Sequence, residues 1–119
     1  MTRSLVTIDL GAIRENARTL AAMQRPSELW AVVKADGYGH GAADVGRAAL
    51  EGGATAICVA TVGEAVPLRE ALPTSRIVVL GPTTADEVAV ARRASRYCRA
   101  RWYPTAPNPA ICPVAIGAM

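Results

Sequence analysis

Four short runs of strand-forming residues, Leu5 to Asp9, Leu29 to Val33, Ala56 to Ala60 and Ile77 to Leu80, start 24, 27 and 21 residues apart. That interval is the length of one strand, one helix and two short loops, and it restricts the chain to α/β architectures in which successive strands run parallel. The runs are mostly continuous in apolar residues, as in Ile77-Val78-Val79-Leu80, which suits strands covered on both faces. A closed barrel of such units takes roughly 250 residues. The chain has 119, enough for one domain with a core but about half of what closure needs.

The segments between the runs carry helix signals. Leu10, Ile13, Ala17 and Leu20 form one apolar face, with Arg14, Glu15 and Arg18 turned outward, and the segment ends before Pro26. A second helix, Ala42 to Glu51, is expected to stop at Gly52-Gly53 with a left-handed cap. Thr61-x-x-Glu64 and Thr84-x-x-Glu87 both fit the capping box, in which hydroxyl and carboxylate satisfy amides of the first helical turn. Pro67 falls inside the third helix, which predicts a kink or a late start. The pattern fails beyond about residue 94. Residues 95–119 hold four prolines and no acidic residue, and we expect a divergent, disordered tail there, the reading frame or the sequence having departed from its ancestor near residue 95.

Composition excludes several classes. No apolar stretch approaches the roughly 18 residues of a membrane-spanning helix. The opening residues lack the basic start and apolar block of a secretory signal, so a cytoplasmic location is expected. Cys58, Cys98 and Cys112 are too few and too widely spaced for a disulfide framework or a zinc site, and no histidine–carboxylate cluster has metal spacing, so free thiols and no metal are expected. The net charge of +3 hides an asymmetry: residues 92–119 hold five arginines and no acid, and the rest of the chain is slightly acidic. The stretch Arg92 to Tyr103 interleaves Arg with aromatics, a pattern that suits phosphate contacts and base stacking. No acid-free basic face recurs elsewhere, and neither a nucleic-acid nor a membrane partner is expected.

The chemistry concentrates in Leu29-Trp30-Ala31-Val32-Val33-Lys34-Ala35-Asp36-Gly37-Tyr38-Gly39-His40-Gly41. A buried strand delivers a lysine at its C-terminal end, the edge where parallel α/β folds bind ligands. Lys34 is the only lysine among 13 basic residues. A partly desolvated lysine is a nucleophilic amine toward carbonyls and forms a Schiff base with an aldehyde such as pyridoxal phosphate. The glycines would let backbone amides approach an anion, and Tyr38 could add a phenol donor to a phosphate. A strand-end lysine is also the ordinary place for a solvated rim charge, and spacing alone leaves both readings open. The loop is neither a dinucleotide fingerprint nor a Walker loop. His40, the only histidine, reads as a loop residue bonded to backbone, and Cys58 as a small core residue.

The string Ala31-Val32-Val33-Lys34-Ala35-Asp36-Gly37-Tyr38-Gly39-His40-Gly41-Ala42 closely resembles the pyridoxal-phosphate signature of bacterial alanine racemases. The resemblance continues in Val6 to Leu10 with Ile13 and Asn16, in Val59 to Ala65 with Leu68 to Ala71, and in Ile77 to Gly81. It implies a partial (β/α)8 TIM-barrel-like domain over residues 1–94, N-terminal βα units only, with the opening strand possible in a second, β-rich domain. It further implies that Lys34 carries pyridoxal 5'-phosphate and serves as one of two acid/base groups, on the face that exchanges the α-proton of D-alanine. Tyr38 would contact the phosphate, and Val32 and Leu80 would line the ring pocket. The implied activity interconverts L-alanine and D-alanine for peptidoglycan, in a homodimer whose second base, a tyrosine, comes from the partner subunit. One base does not complete a racemisation efficiently, and three parallel strands leave an open edge, so this length alone is expected to be inactive and marginally folded. A related racemase for another amino acid, or a decarboxylase, would share the strand-end lysine.

Overall fold

The computed structural model describes residues 3–94 and Pro113–Val114. Helix α1 (Leu10–Met23) leads into strand β1 (Trp30–Val32), followed by a short helical turn, α2 (Lys34–Tyr38), and helix α3 (Ala42–Glu51). Strand β2 (Ala56–Val59), helix α4 (Val62–Ala71), strand β3 (Ile77–Val79) and helix α5 (Ala85–Ala94) complete the repeating part, and β4 (Pro113–Val114) lies beyond it. The sheet order is β3-β2-β1-β4 and all pairings are parallel. The α/β reading with N-terminal βα units therefore holds. The expectation of a disordered tail over 95–119 lies outside the described residues, except that Pro113 and Val114 pair with Trp30 and Ala31.

One expected strand is absent. Leu5 to Asp9 forms no strand, and Leu5 and Val6 stand 85% and 79% exposed. Among the described residues, none pairs its backbone with this run as a strand. Asp9 ends it by capping α1, its carboxylate accepting from the Ala12 amide at 3.0 Å.

Side chains of the sheet divide by alternation. Leu29, Ala31, Val33, Ile57, Val59, Ile77 and Val79 join Ala17 of α1, Ala49 of α3 and Leu68 of α4 in the main core. Trp30, Val32, Ala56 and Cys58, with Val78 against them, form a second cluster on the opposite face. Register puts Val32, Cys58 and Val78 in one row across the three strands. The apolar face predicted for α1 is turned to α3, where Ile13 and Ala17 are buried.

Both capping boxes form. Thr61 Oγ1 accepts from the Glu64 amide (3.3 Å) and Glu64 Oε2 from the Thr61 amide (3.0 Å); Thr84 and Glu87 repeat the exchange at 3.3 and 2.8 Å. Pro67 does not delay α4, which starts at Val62 and runs through it. The helix loses only the hydrogen bond that a residue without an N–H cannot donate. At the end of α3 the left-handed residue is Gly53 (φ +113) rather than Gly52 (φ −77).

Candidate active site at the C-terminal edge of the sheet

The sheet ladder continues one residue past β1, with the Val33 amide donating to the Cys58 carbonyl at 2.8 Å, and Lys34 follows, exposed at the C-terminal edge. Leu80 stands at the same edge just past β3, 52% exposed, its amide donating to the Val59 carbonyl. Val32 lies beneath the edge, 6% exposed, in the second cluster. Tyr38 closes the turn after Lys34 and is 39% exposed. Lys34, Tyr38 and Leu80 therefore meet solvent around one edge, with Val32 beneath it.

Three glycines in the five residues 37–41 predict a loop after Lys34. Instead it is one turn of left-handed helix. Ala35, Asp36, Gly37 and Tyr38 have φ of +50, +53, +65 and +57. Gly37 adopts that region without penalty and Asp36 tolerates it, whereas the left-handed form costs about 1–2 kcal/mol for each of Ala35 and Tyr38. Strain of this kind persists only where neighbours hold it. Here the turn closes on itself: the amides of Gly37, Gly39 and Gly41 donate to the carbonyls of Val33, Ala35 and Asp36 at 2.9, 3.0 and 2.8 Å. Those three amides, expected to face an anion, are thus directed inward.

Two acidic side chains secure the turn. Asp36 Oδ1 accepts from the Ala42 amide at 2.9 Å, capping α3 in place of Gly41, which has no side chain to do so. Glu64 accepts from three amides: Oε1 from Ala35 at 2.7 Å, Oε2 from Ala60 at 2.8 Å and from Thr61 at 3.0 Å. The Ala35 bond leads the Ala60 and Thr61 bonds in holding this carboxyl below the ordinary carboxylate range. The sequence exposed Glu64 only as a helix cap; its reach to Ala35 depends on a backbone conformation that residue types do not announce. Asp36 sits before a glycine, a turn signal that could have marked it. His40 behaves as expected, its Nδ1–H donating to the Gly37 and Tyr38 carbonyls at 3.1 Å each. Since carbonyls only accept, Nδ1 carries a proton.

Cys58, in the row beneath the edge, is buried, and desolvation pushes its thiol up to about 11. That is a structural thiol. Among the described residues no cluster of His, Cys, Asp and Glu could hold a metal, and no helix is long and apolar enough to cross a membrane.

The donor set fits pyridoxal phosphate in kind: a primary amine at an exposed strand end, a phenol four residues on, and apolar side chains at and under the same edge. Comparison with known proteins points the same way. Residues 8–98 match the family model described as alanine racemase, N-terminal domain. An alanine racemase of Lactiplantibacillus plantarum is 52% identical over 66% of this chain, which spans about a fifth (21%) of that relative's length. The crystal structure of alanine racemase from Bacillus anthracis with bound L-Ala-P gives a TM-score of 0.69 at 40% identity, covering 73% of this chain and 23% of that one. That of alanine racemase from Bartonella henselae with covalently bound pyridoxal phosphate gives 0.67 at 35%, covering 73% and 26%. With its βα units, its strand-end lysine and a family match over most of its length, the chain belongs to the alanine racemase family, matching its N-terminal domain.

Proposed function

We propose that this chain supplies the lysine-bearing part of an alanine racemase that interconverts L-alanine and D-alanine through pyridoxal 5'-phosphate, for peptidoglycan synthesis. The observation that carries the reading is Lys34, exposed where β1 ends and followed by a strained, internally bonded turn. In this reading the Lys34 amine anchors the cofactor covalently. When bound, the cofactor supplies an electron sink that makes the α-proton of the amino acid acidic. Once the amino group of alanine has displaced it, the free Lys34 Nζ would take and return that proton on the face belonging to D-alanine, while the Tyr38 hydroxyl would donate to the phosphate. Val32 and Leu80 would give the ring an apolar wall. Delivery on the opposite face needs a second base, which we assign to the part of the relatives this chain does not match and to the partner subunit of a homodimer.

Deuterium exchange tests the assignment without requiring both bases. In D2O with pyridoxal phosphate, the chain should exchange the α-proton of D-alanine faster than that of L-alanine, and Lys34→Ala should fall to the rate of the free cofactor. Equal exchange with and without Lys34 would refute the role.

A further inference from the structure

The turn after Lys34 holds three non-glycine residues at positive φ. Within residues 34–42 it is closed by its own carbonyls, by Asp36 and by His40. Among the described residues, the one side chain from outside this segment that hydrogen-bonds to it is Glu64, whose Oε1 accepts from the Ala35 amide at 2.7 Å. The other oxygen is engaged at the neighbouring strand end, by Ala60 and Thr61. A capping box needs only the bond to the Thr61 amide. The remaining two do something else: they tie the residue next to Lys34 to the residue that follows β2. The carboxylate is suited to this because all its lone pairs accept, whereas a carboxamide offers one accepting oxygen and one donating nitrogen.

We propose that Glu64 is the positioning residue of the Lys34 site, its carboxylate holding the left-handed turn against the end of β2 so that Lys34 and Tyr38 keep their places; this rests on the reading of Lys34 as the anchoring amine. In Glu64→Gln the amide oxygen should stay with Ala60 and Thr61, where two donors converge, and Ala35 loses its acceptor. Thr61→Ala is the control, because it removes the other half of the same capping box and leaves the Ala35 bond intact.

Two readouts separate positioning from stability. Hydrogen exchange of the Ala35 amide requires no cofactor. The ratio of borohydride-trapped pyridoxal phosphate on Lys34 to that on the Met1 α-amino group is internally normalised, both amines being in one molecule. Glu64→Gln should lower Ala35 protection and the labelling ratio by about tenfold or more, the scale of one charge-assisted hydrogen bond. Thr61→Ala should lower thermal stability and leave both readouts near wild type. The proposal is overturned if wild-type Ala35 exchanges as an unprotected amide, if the ratio survives Glu64→Gln, or if Thr61→Ala lowers it equally. If Glu64→Gln fails to fold, Glu64→Asp, which keeps the charge but is one methylene too short to span both strand ends, is read the same way. A wild-type ratio near one instead overturns the anchoring role of Lys34, a distinguishable failure because Ala35 protection then still responds to Glu64→Gln.

Discussion

Gly52→Ala should destabilise the chain, although its backbone conformation favours alanine. Gly52 has φ −77 and ψ −9, ordinary right-handed space. There an added methyl group reduces the freedom of the unfolded chain and should stabilise by about 0.4–1 kcal/mol. Packing opposes this. A Cβ at residue 52 would lie 2.4 Å from the Arg14 carbonyl oxygen and 2.6 Å from Ala17 Cβ. Both belong to the body of α1, so no side chain can rotate away and the two helices must separate by about 1 Å to reach ordinary contact. Overpacking of this kind costs about 1–3 kcal/mol, which outweighs the entropic gain. Separation would also strain the Arg14–Glu51 pair, 3.2 Å apart, though an exposed pair adds little. Gly63→Ala is the matched control: it lies inside α4 and its Cβ would meet only Thr61 Oγ1 at 3.8 Å. It should stabilise by about 0.5–1 kcal/mol. Urea titration followed by far-UV circular dichroism reads both. With an m-value of about 1 kcal/mol/M, Gly52→Ala should lower the midpoint by about 1 M or leave the chain unfolded in buffer, and Gly63→Ala should raise it. A midpoint raised by both substitutions would refute the close approach of α1 and α3.

Three further outcomes follow from the site. Glu64, with its carboxyl held below the ordinary value of 4.5 by the Ala35, Thr61 and Ala60 amides, stabilises the fold fully above that value. The contribution is lost as pH falls through the lowered value, so acid unfolding should be less steep in Glu64→Gln, and parallel curves would contradict it. Cys58, raised to about 11 and buried, should resist a thiol reagent at pH 8 until urea unfolds the chain; rapid labelling of the Cys58 peptide in buffer would show that the second cluster is not closed. Tyr38→Ala should weaken capture of pyridoxal phosphate by about 1–3 kcal/mol and leave capture of pyridoxal, which lacks the phosphate, unchanged; equal losses would remove the phosphate role.

The parts of this fold that local chemistry dictates were legible in the sequence. The spacing of apolar runs located β1, β2 and β3, and the Thr and Glu of each capping box marked where α4 and α5 begin. Leu5 to Asp9 misled because strand-like residues make a strand only against a pairing neighbour, and among the described residues none pairs with them. The position of Lys34 at the end of a strand was legible from the buried run before it. The left-handed turn was not foreseen, since Ala35 and Asp36 have no intrinsic preference for positive φ and are held there by bonds to residues up to 29 positions away. The second role of Glu64 was hidden for the same reason: one residue serves a local motif and a long-range contact, and only the first is periodic.

The most direct test of the proposed cofactor site is reductive trapping on the folded chain. Pyridoxal phosphate is added, the mixture is reduced with borohydride, and the adduct is mapped by peptide mass spectrometry. Lys34 is the only side-chain amine in the sequence, with the Met1 α-amino group as internal competitor. The adduct should fall on the peptide containing Lys34, lose that preference when the chain is unfolded in urea, and disappear from it in Lys34→Ala. An adduct mainly on Met1, or a distribution identical in folded and unfolded chain, would contradict a cofactor site at Lys34.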